Sequence, residues 1–192
     1  MIPTIAKSEL EYLWPINWLG LHQHYLNVGE MDIIAALLRQ VEAKSMLEIG
    51  CRDGRTARVL LHNVSALVRY IGVDVPMCYV PALHHQRAEM VRDPGALVID
   101  DPRFELVIRE RGSLDLMPAD LPPIDAVFID GDHGEQAVEW DSRIAYAIAQ
   151  KLIIWHDYAN VAVDVQRVIH RRCEEGWPIK TVEGTWLAYL TR

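Results

Sequence analysis

Two groups of acidic and histidine residues occur in the second half of the chain, each directly after a short apolar run. The first group is Asp130, Asp132 and His133, and the second is His156 and Asp157. Carboxylates that are brought together repel one another unless they are protonated, separated or bridged by a cation. Carboxylate oxygens alone suit Mg²⁺, whereas an imidazole ligand favours Mn²⁺, Fe²⁺ or Zn²⁺. These residue types indicate either a divalent-metal site or a structural role, in which Asp130 orders its loop and Asp157 caps the next helix.

His133 is the candidate for moving a proton, because an unperturbed imidazole accepts one near neutral pH. Asp132 is the alternative acceptor for the same proton. An isolated histidine can equally be structural, so both interpretations stay open at this point. The pair His84 and His85 lies in a stretch without clear periodicity and is predicted to be solvent-exposed.

A glycine-containing loop in the first half of the chain predicts a bound ligand. Gly50 and Gly54 follow a compact apolar run, where glycine lets the backbone turn sharply and approach a ligand closely. Asp74 ends the next apolar run, 26 residues after Glu48, and a carboxylate there can accept hydrogen bonds from both ribose hydroxyls. A dinucleotide fingerprint would need a glycine where Arg52 stands. The pattern therefore favours a cofactor without a pyrophosphate.

Short apolar strands alternate with helices along the chain. Strands are predicted at 45–50, 68–74, 104–108, 124–129 and 151–155, helices at 31–41, 55–61, 79–91, 134–150 and 161–169, and a closing hairpin at 179–182 and 185–191. This alternation is typical of a mostly parallel α/β sheet with helices on both faces, which binds ligands at the carboxyl ends of its strands. We expect one domain over 1–192, with a helical segment at 1–44 and the Rossmann-like core at 45–192.

Composition narrows the classes of partner. The formal net charge of −8 argues against a nucleic-acid partner, because phosphate neutralisation needs a basic surface. No apolar stretch approaches the roughly 18 residues of a transmembrane helix, and no signal-peptide run follows Met1. The three cysteines are too far apart for a zinc module. We therefore expect reduced thiols in a cytoplasmic protein without membrane segments.

Four blocks of the sequence resemble class I S-adenosylmethionine-dependent methyltransferases of the small-molecule O-methyltransferase branch. These blocks are Leu47-Glu48-Ile49-Gly50 with Gly54, Gly72-Val73-Asp74, Val127-Phe128-Ile129-Asp130-Gly131-Asp132-His133 and Ile154-Trp155-His156-Asp157. The resemblance is strongest to methyltransferase family 24, with more distant similarity to the catechol and caffeoyl-CoA enzymes. It covers roughly residues 30–190 and implies a seven-stranded sheet of order 3-2-1-4-5-7-6.

The resemblance also implies site residues. The cofactor S-adenosylmethionine is expected to contact Glu48, Gly50, Gly54, Asp74, Gly112, Ser113 and Asp130, with Gly50 and Gly54 beside the methionine portion, Asp74 on the ribose and Gly112-Ser113 near the adenine. In related enzymes a divalent ion, Mg²⁺ or Mn²⁺, is held at the positions of Asp130, His156 and Asp157. This chain departs from the family pattern at His156, where relatives usually carry an acidic residue, and at Arg52, where they carry a glycine.

The function predicted from these residues is methyl transfer from S-adenosylmethionine to a hydroxyl group of a small-molecule acceptor. Two alternatives stay open: a cofactor-binding module without transferase activity, and a related metal-dependent oxygenase. Methyl transfer from labelled cofactor separates the first from the other two, and oxygen consumption identifies the last.

Two further features lie outside this core assignment. The N-terminal Trp14, Trp18, His22, His24 and Tyr25 are predicted to form a substrate lid, a homodimer contact or plain packing. Asp141 falls on the apolar face of its predicted helix, where a buried carboxylate needs a partner.

Overall fold

A mixed sheet of eight strands carries helices on both of its faces in the computed structural model, which describes residues 2–22 and 29–192. The strands are β1 (Thr4–Ile5), β2 (Ser45–Ile49), β3 (Arg69–Asp74), β4 (Phe104–Ile108), β5 (Ile124–Ile129), β6 (Ala149–Trp155), β7 (Lys180–Val182) and β8 (Ala188–Thr191). The helices are α1 (Glu30–Gln40), α2 (Arg55–Asn63), α3 (Glu135–Ile148) and α4 (Val165–Glu174).

The strand order is β1-β7-β8-β6-β5-β2-β3-β4. From β2 onward this is the seven-stranded order that the resemblance implied, which is therefore confirmed. The closing hairpin is also confirmed, since β7 and β8 pair antiparallel across a turn with Gly184 at φ +67°. The structure has one strand more than the seven that the resemblance implied, because β1 adds a parallel edge strand beside β7. Two residues are too few to show a period in the sequence.

The N-terminal 44 residues contain less helix than expected. Besides β1, the described part of this segment holds a single turn of 3-10 helix at Lys7–Glu9 and α1. The predicted helix over 79–91 is likewise reduced to a 3-10 stretch at His84–Glu89. Within residues 2–22 and 29–192, no helix combines the length and apolar character needed to cross a bilayer.

Apolar side chains cover the sheet on both faces. On one face Met46, Tyr70 and Phe128 pack beneath α1 and α2. On the other face Leu47 and Val127, with their neighbours along the strands, pack beneath α3 and α4. Because both faces are covered, the central strands form nearly continuous apolar runs, as the sequence showed.

The carboxyl ends of the central strands lie in register, and this places the site. Ile49 at the end of β2 pairs with Ile129 of β5, which in turn pairs with Trp155 of β6. The backbone ladder continues one residue further, since Asp130 donates its N–H to Ile49 (2.9 Å) and His156 donates to Ile129 (3.0 Å). Asp130 and His156 therefore start their loops side by side.

Candidate active site

A cavity opens at the carboxyl ends of β2 and β3. Of the residues predicted to contact the cofactor, those that line it are Gly50, Asp74, Gly112, Ser113 and Asp130. We call it the cofactor cavity.

Gly50 brings the first loop against the loop after β5. Its φ is +88°, and a Cβ built on it would lie 2.2 Å from the carbonyl oxygen of Asp130. No other residue fits this position without moving the backbone. Gly54 lies at the start of the next helix. It precedes α2 at φ +83°, where a Cβ would lie 2.7 Å from a methyl carbon of Val98, and it does not line the cofactor cavity.

Arg52 occupies the position of the missing glycine and adopts the backbone conformation a glycine would take, with φ +48°. Its side chain lines the cofactor cavity and donates from Nε to the carbonyl oxygen of Glu89 at 2.9 Å. Arg52 therefore preserves the backbone turn that the family's glycine would make. Its side chain also bonds to Glu89, another residue that lines the cavity.

Asp74 stands at the end of β3 with both carboxylate oxygens directed at backbone groups. Oδ2 accepts the N–H of Arg52 at 2.6 Å, and Oδ1 accepts the N–H of Val75 at 2.7 Å. Burial raises its pKa above the usual value, although these bonds oppose the shift. The Cys51 thiol also interacts with this carboxylate, and one of the carboxylate's four lone-pair sites remains beyond these three donors. The carboxylate can therefore still accept a ribose hydroxyl.

Glu48 lies away from the cofactor cavity. Its side chain points into the layer beneath α1 and α2, where only 1% of the residue is exposed, and accepts the hydroxyl of Tyr70 at 2.8 Å. Burial raises its pKa to about 8, so the carboxyl is mostly protonated at neutral pH. The structure gives Glu48 a place in the core instead of the cofactor contact expected from the sequence.

Five ionisable side chains meet beside the cofactor cavity and form what we call the histidine–carboxylate cluster: Glu30, Asp130, His133, His156 and Asp157. The Nδ1 atom of His156 lies 3.1 Å from Asp130 Oδ1 and 3.1 Å from Asp157 Oδ2. Its Nε2 atom lies 3.1 Å from Glu30 Oε2. His133 completes the cluster, with Nε2 2.8 Å from Asp157 Oδ2 and 3.9 Å from Asp130 Oδ1.

The cluster shifts the acid–base properties of its members. Burial disfavours the charged form of His133, but the hydrogen bond to Asp157 and the charge of Asp130 outweigh it and raise the pKa. The same balance holds the pKa of His156 well above its usual value, with Asp130 as the main favourable charge. Burial also acts against ionised Asp157, yet the two imidazoles keep its pKa well below the usual range.

The donor set fits a divalent cation. Ligand atoms of Asp130, His156 and Asp157 all lie within 4.8 Å of one another. A nitrogen with two carboxylate oxygens is a set that Mn²⁺, Fe²⁺ or Zn²⁺ accepts more readily than Mg²⁺. Asp157 also has a structural bond, because its Oδ1 accepts the side-chain amide of Asn160 at 2.8 Å.

Asp132 is not arranged as a free proton acceptor. Its Oδ2 accepts the hydroxyl of Tyr79 at 2.7 Å and the N–H of Ala82 at 2.9 Å, and its Oδ1 accepts the N–H of Gly134 at 2.8 Å. Three donors therefore occupy the carboxylate that the sequence analysis considered as a base. The structure gives Asp132 the task of holding residues 79–82 against the loop after β5.

Gln86 holds a later part of the segment 79–91 against the loop after β5. Its side-chain amide donates to the carbonyl oxygen of Gly131 at 3.2 Å and accepts the backbone N–H of His133 at 3.1 Å. Glu89, Met90 and other residues of 79–91 line the cofactor cavity. The segment thus forms one wall of that cavity. His84 and His85 are exposed, as predicted.

A second cavity adjoins the cofactor cavity and contains the histidines. Gly50, Arg52, Glu89 and Asp130 line both cavities. The second one is also lined by His85, His133, His156, Asp157 and Asn160, and by the apolar side chains of Trp18, Met31, Val163 and Trp186. We call it the acceptor cavity, since a molecule bound there would lie against both the cofactor and the cluster.

The N-terminal aromatic residues separate into two environments. Trp18 packs against the core and lines the acceptor cavity, whereas Trp14 is exposed, with the guanidinium of Arg39 4.3 Å from its ring centre. His22 is exposed. His24 and Tyr25 lie outside the described residues.

Asp141 is a buried carboxyl that interacts with the hydroxyl of Ser113. It lies on α3, one turn after Ala137, which lines the cofactor cavity. Burial raises its pKa to about 7, and the neighbouring Ser113 hydroxyl opposes the shift.

Sequence reasoning missed Glu30, Tyr79, Gln86 and Glu89. Glu30 begins α1, and a carboxylate at a helix N-terminus is ordinary. Nothing in the sequence distinguishes it from a surface acid. Tyr79, Gln86 and Glu89 belong to a stretch without periodicity, whose position depends on contacts distant in sequence.

Solved structures of similar architecture include O-methyltransferases and a spermidine synthase. An O-methyltransferase from Bacillus cereus, in complex with SAH, is 16% identical over 91% of this chain and 86% of its own, with a TM-score of 0.60. TomG, an O-methyltransferase from Streptomyces achromogenes in complex with SAM, is 15% identical over 90% and 84%, with a TM-score of 0.58. Spermidine synthase from Thermotoga maritima is 16% identical over 89% and 61%, with a TM-score of 0.56.

No protein-family model matches the sequence, and no curated protein sequence does. At 15–16% identity, the likeness to these structures establishes the fold alone. The chain has the fold of class I S-adenosylmethionine-dependent methyltransferases, which confirms the fold that the sequence resemblance implied. The same fold occurs in a spermidine synthase, so the reaction must be argued from the residues of the site.

Proposed function

We propose that this protein is an S-adenosylmethionine-dependent methyltransferase that methylates a hydroxyl group of a small molecule. The observation that carries the proposal is the junction of the two cavities, where Gly50 and Asp130 line both. A cofactor in the first cavity would end beside the ionisable groups of the second. Similarity to O-methyltransferases in complex with SAH and with SAM supports this choice of cofactor.

The bound cofactor supplies an electrophilic methyl carbon, so the protein's contribution is alignment and the exclusion of water. Asp74 and Ser113 line the part of the cavity that we assign to the ribose and adenine. Trp18, Met31 and Trp186 give the acceptor cavity apolar walls. These walls hold the acceptor in place and keep water away from the methyl group.

His133 removes the proton of the acceptor hydroxyl in this proposal, which requires its neutral form; a cation bound by the neighbouring carboxylates would offset the charges that raise its pKa. Its ring is buried and oriented by the 2.8 Å contact between Nε2 and Asp157, and it lines the acceptor cavity. Asp132 is not assigned to this step, because three donors already occupy its carboxylate.

We further propose that Asp130, His156 and Asp157 hold a divalent ion, Mg²⁺ or Mn²⁺ in the family's usual choice. An ion at this site would lower the pKa of a hydroxyl bound next to it. The three ligand atoms lie close enough together for one ion, and the surrounding carboxylates carry the negative charge that a cation offsets.

Cofactor binding and methyl transfer test the proposal. Calorimetry of the full chain with SAH should show binding, and Asp74→Ala should weaken it by about 1–3 kcal/mol, the scale of hydrogen bonds to a charged group. Asp100→Ala, an exposed acid outside both cavities, is the matched control. Transfer of a labelled methyl group to a panel of small hydroxyl compounds should then be detected.

Other outcomes favour the other candidates. SAH binding without transfer to any acceptor class would point to a binding module, and oxygen consumption with cofactor present would point to an oxygenase. Folded protein that does not bind SAH at millimolar concentration would refute the proposal. We also propose a cytoplasmic location, in keeping with three free cysteines, and a small-molecule acceptor in place of nucleic acid.

A further inference from the structure

Glu30 brings a third carboxylate to the histidine–carboxylate cluster from α1, a helix remote in sequence from the strand ends. The residue is completely buried. Its Oε2 atom lies 3.1 Å from Nε2 of His156, and its Oε1 atom accepts the backbone N–H of Trp186 at 2.6 Å. The two oxygens therefore have different partners, and the backbone partner fixes which oxygen faces the imidazole.

This arrangement determines how His156 presents its ring. The Glu30 carboxylate keeps a proton on Nε2, whereas a cation held by Asp130 and Asp157 would take the place of a proton on Nδ1, which makes Nδ1 the ligand atom. Nδ1 lies 3.1 Å from one oxygen of Asp130 and 3.1 Å from one oxygen of Asp157. Histidines that bind metals usually donate their other N–H to a carboxylate, and this partner sets the tautomer and the orientation of the ring.

We propose that Glu30 is a positioning residue that holds His156 with Nδ1 directed at the ion, and that the site consequently prefers Mn²⁺ or Zn²⁺ to Mg²⁺. This inference rests on the metal site of the proposed function and changes its ion. The imidazole nitrogen gives the preference, because Mg²⁺ favours oxygen ligands and remains strongly hydrated, whereas first-row transition ions and Zn²⁺ bind imidazole well.

Glu30→Gln is a sharp test, because a glutamine has a single acceptor oxygen. The N–H of Trp186 belongs to the backbone and will retain that oxygen, which leaves the amide NH₂ facing Nε2 of His156. An NH₂ group favours the tautomer with the proton on Nδ1, where it blocks a ligand. Isothermal titration with MnCl₂ and with ZnCl₂ should show about 10- to 100-fold weaker binding than in the wild type.

Asp32→Asn is the matched control, since Asp32 lies on the same helix and accepts the N–H of Ile16 outside the cluster. Its metal affinities should equal those of the wild type. In a His156→Asp background the ring that Glu30 positions is gone, so Glu30→Gln should no longer weaken metal binding. His156→Asp alone should reduce the ratio of Mn²⁺ affinity to Mg²⁺ affinity.

A spectroscopic measurement on the unmodified protein covers the case in which Glu30→Gln does not fold. Long-range ¹H–¹⁵N spectra of the zinc-loaded wild type should show His156 protonated at Nε2 and not at Nδ1. Protonation at Nδ1, tighter binding of MgCl₂ than of MnCl₂, or unchanged metal affinity in folded Glu30→Gln would each overturn the inference.

The same samples separate this inference from the proposed function. Protein that binds SAH and transfers methyl groups but binds neither MnCl₂ nor ZnCl₂ would refute the role of Glu30 and leave the methyltransferase proposal intact. Protein that binds these ions with the expected dependence on Glu30, but does not bind SAH, would refute the methyltransferase proposal and leave the role of Glu30 intact.

Discussion

The Nε2 atom of His133 lies 2.8 Å from Oδ2 of Asp157, and both side chains are buried at the wall of the acceptor cavity. This contact orients an imidazole at the place where the proposed reaction must remove a proton. It also ties the loop after β5 to the loop after β6.

Replacement of His133 tests its proposed role as the base. We expect His133→Ala to lower kcat by about 10²–10⁴-fold, the usual contribution of a general base, while the Kd for SAH stays unchanged. His84→Ala, an exposed histidine outside the cavities, should have the wild-type kcat. A wild-type rate in His133→Ala between pH 6 and 9 would assign the proton transfer to another group.

Removal of divalent ions tests the cluster as a metal site. We expect excess chelator to abolish methyl transfer and a first-row divalent ion to restore it. Adding that ion to stripped protein should raise the Tm, because a ligand that binds only the folded state stabilises it. Full activity in excess chelator would show that the carboxylates are structural.

The hydrogen bond between Tyr79 and Asp132 is expected to hold the wall of the cofactor cavity. Tyr79→Phe removes one bond to a charged acceptor, which contributes about 1.5–3 kcal/mol when buried and less here because Tyr79 is half-buried. We expect the Kd for SAH to rise by roughly 3- to 30-fold and amide exchange to accelerate over residues 79–91. Tyr158→Phe, whose hydroxyl contacts His170, is the control and should change neither.

Gly50 should tolerate no side chain. In Gly50→Ala the new methyl group would meet the carbonyl oxygen of Asp130 at 2.2 Å in addition to the strain of φ +88°. Gly184→Ala bears similar strain at φ +67°, but no atom lies within 4 Å of its Cβ. We expect Gly184→Ala to cost about 1–2 kcal/mol of unfolding free energy, and Gly50→Ala clearly more, by urea denaturation. Equal losses of unfolding free energy in the two variants would contradict the close approach of the Gly50 loop to the loop after β5.

Buried Glu48 should make stability depend on pH. Its pKa is raised by burial to about 8 in the folded protein, whereas in the unfolded chain it is near the ordinary value. Between these values the folded state retains a proton that the unfolded state releases, so stability falls as pH rises from about 4.5 to about 8. Glu48→Gln should flatten this part of the profile and be more stable than the wild type at pH 8.

Exposed Glu183→Gln is the control for Glu48→Gln and should leave the profile unchanged. Melting temperatures measured from pH 4 to pH 9 give the comparison. A steeper decline with pH in Glu48→Gln than in the wild type would mean that the carboxyl is ionised in the folded state.

The strands and the loops that follow them could be predicted because their signals are local. Asp74, Asp130 and His156 each come directly after an apolar run, and the parallel sheet then places those positions at one edge. The seven-stranded order, in contrast, came only from the resemblance.

The remaining features depend on contacts between distant residues. Glu30 meets His156 across 126 positions of sequence, and Tyr79 meets Asp132 across 53. No local pattern marks such a pair. Glu48 shows that a local motif can also mislead. It matches the family motif in sequence, yet its side chain points to the face of the sheet away from the cofactor cavity.

The short strand β1 covers the outer edge of β7. Thr181 of β7 donates its N–H to the carbonyl oxygen of Pro3, and Glu183, the residue after β7, donates its N–H to that of Ile5, each at 2.9 Å. Deletion of residues 2–6 would leave those N–H groups unpaired on an open sheet edge, the feature through which β-proteins pair with other chains. Protein that lacks residues 2–6 is therefore expected to aggregate more readily than the full chain, which light scattering of the two proteins would show.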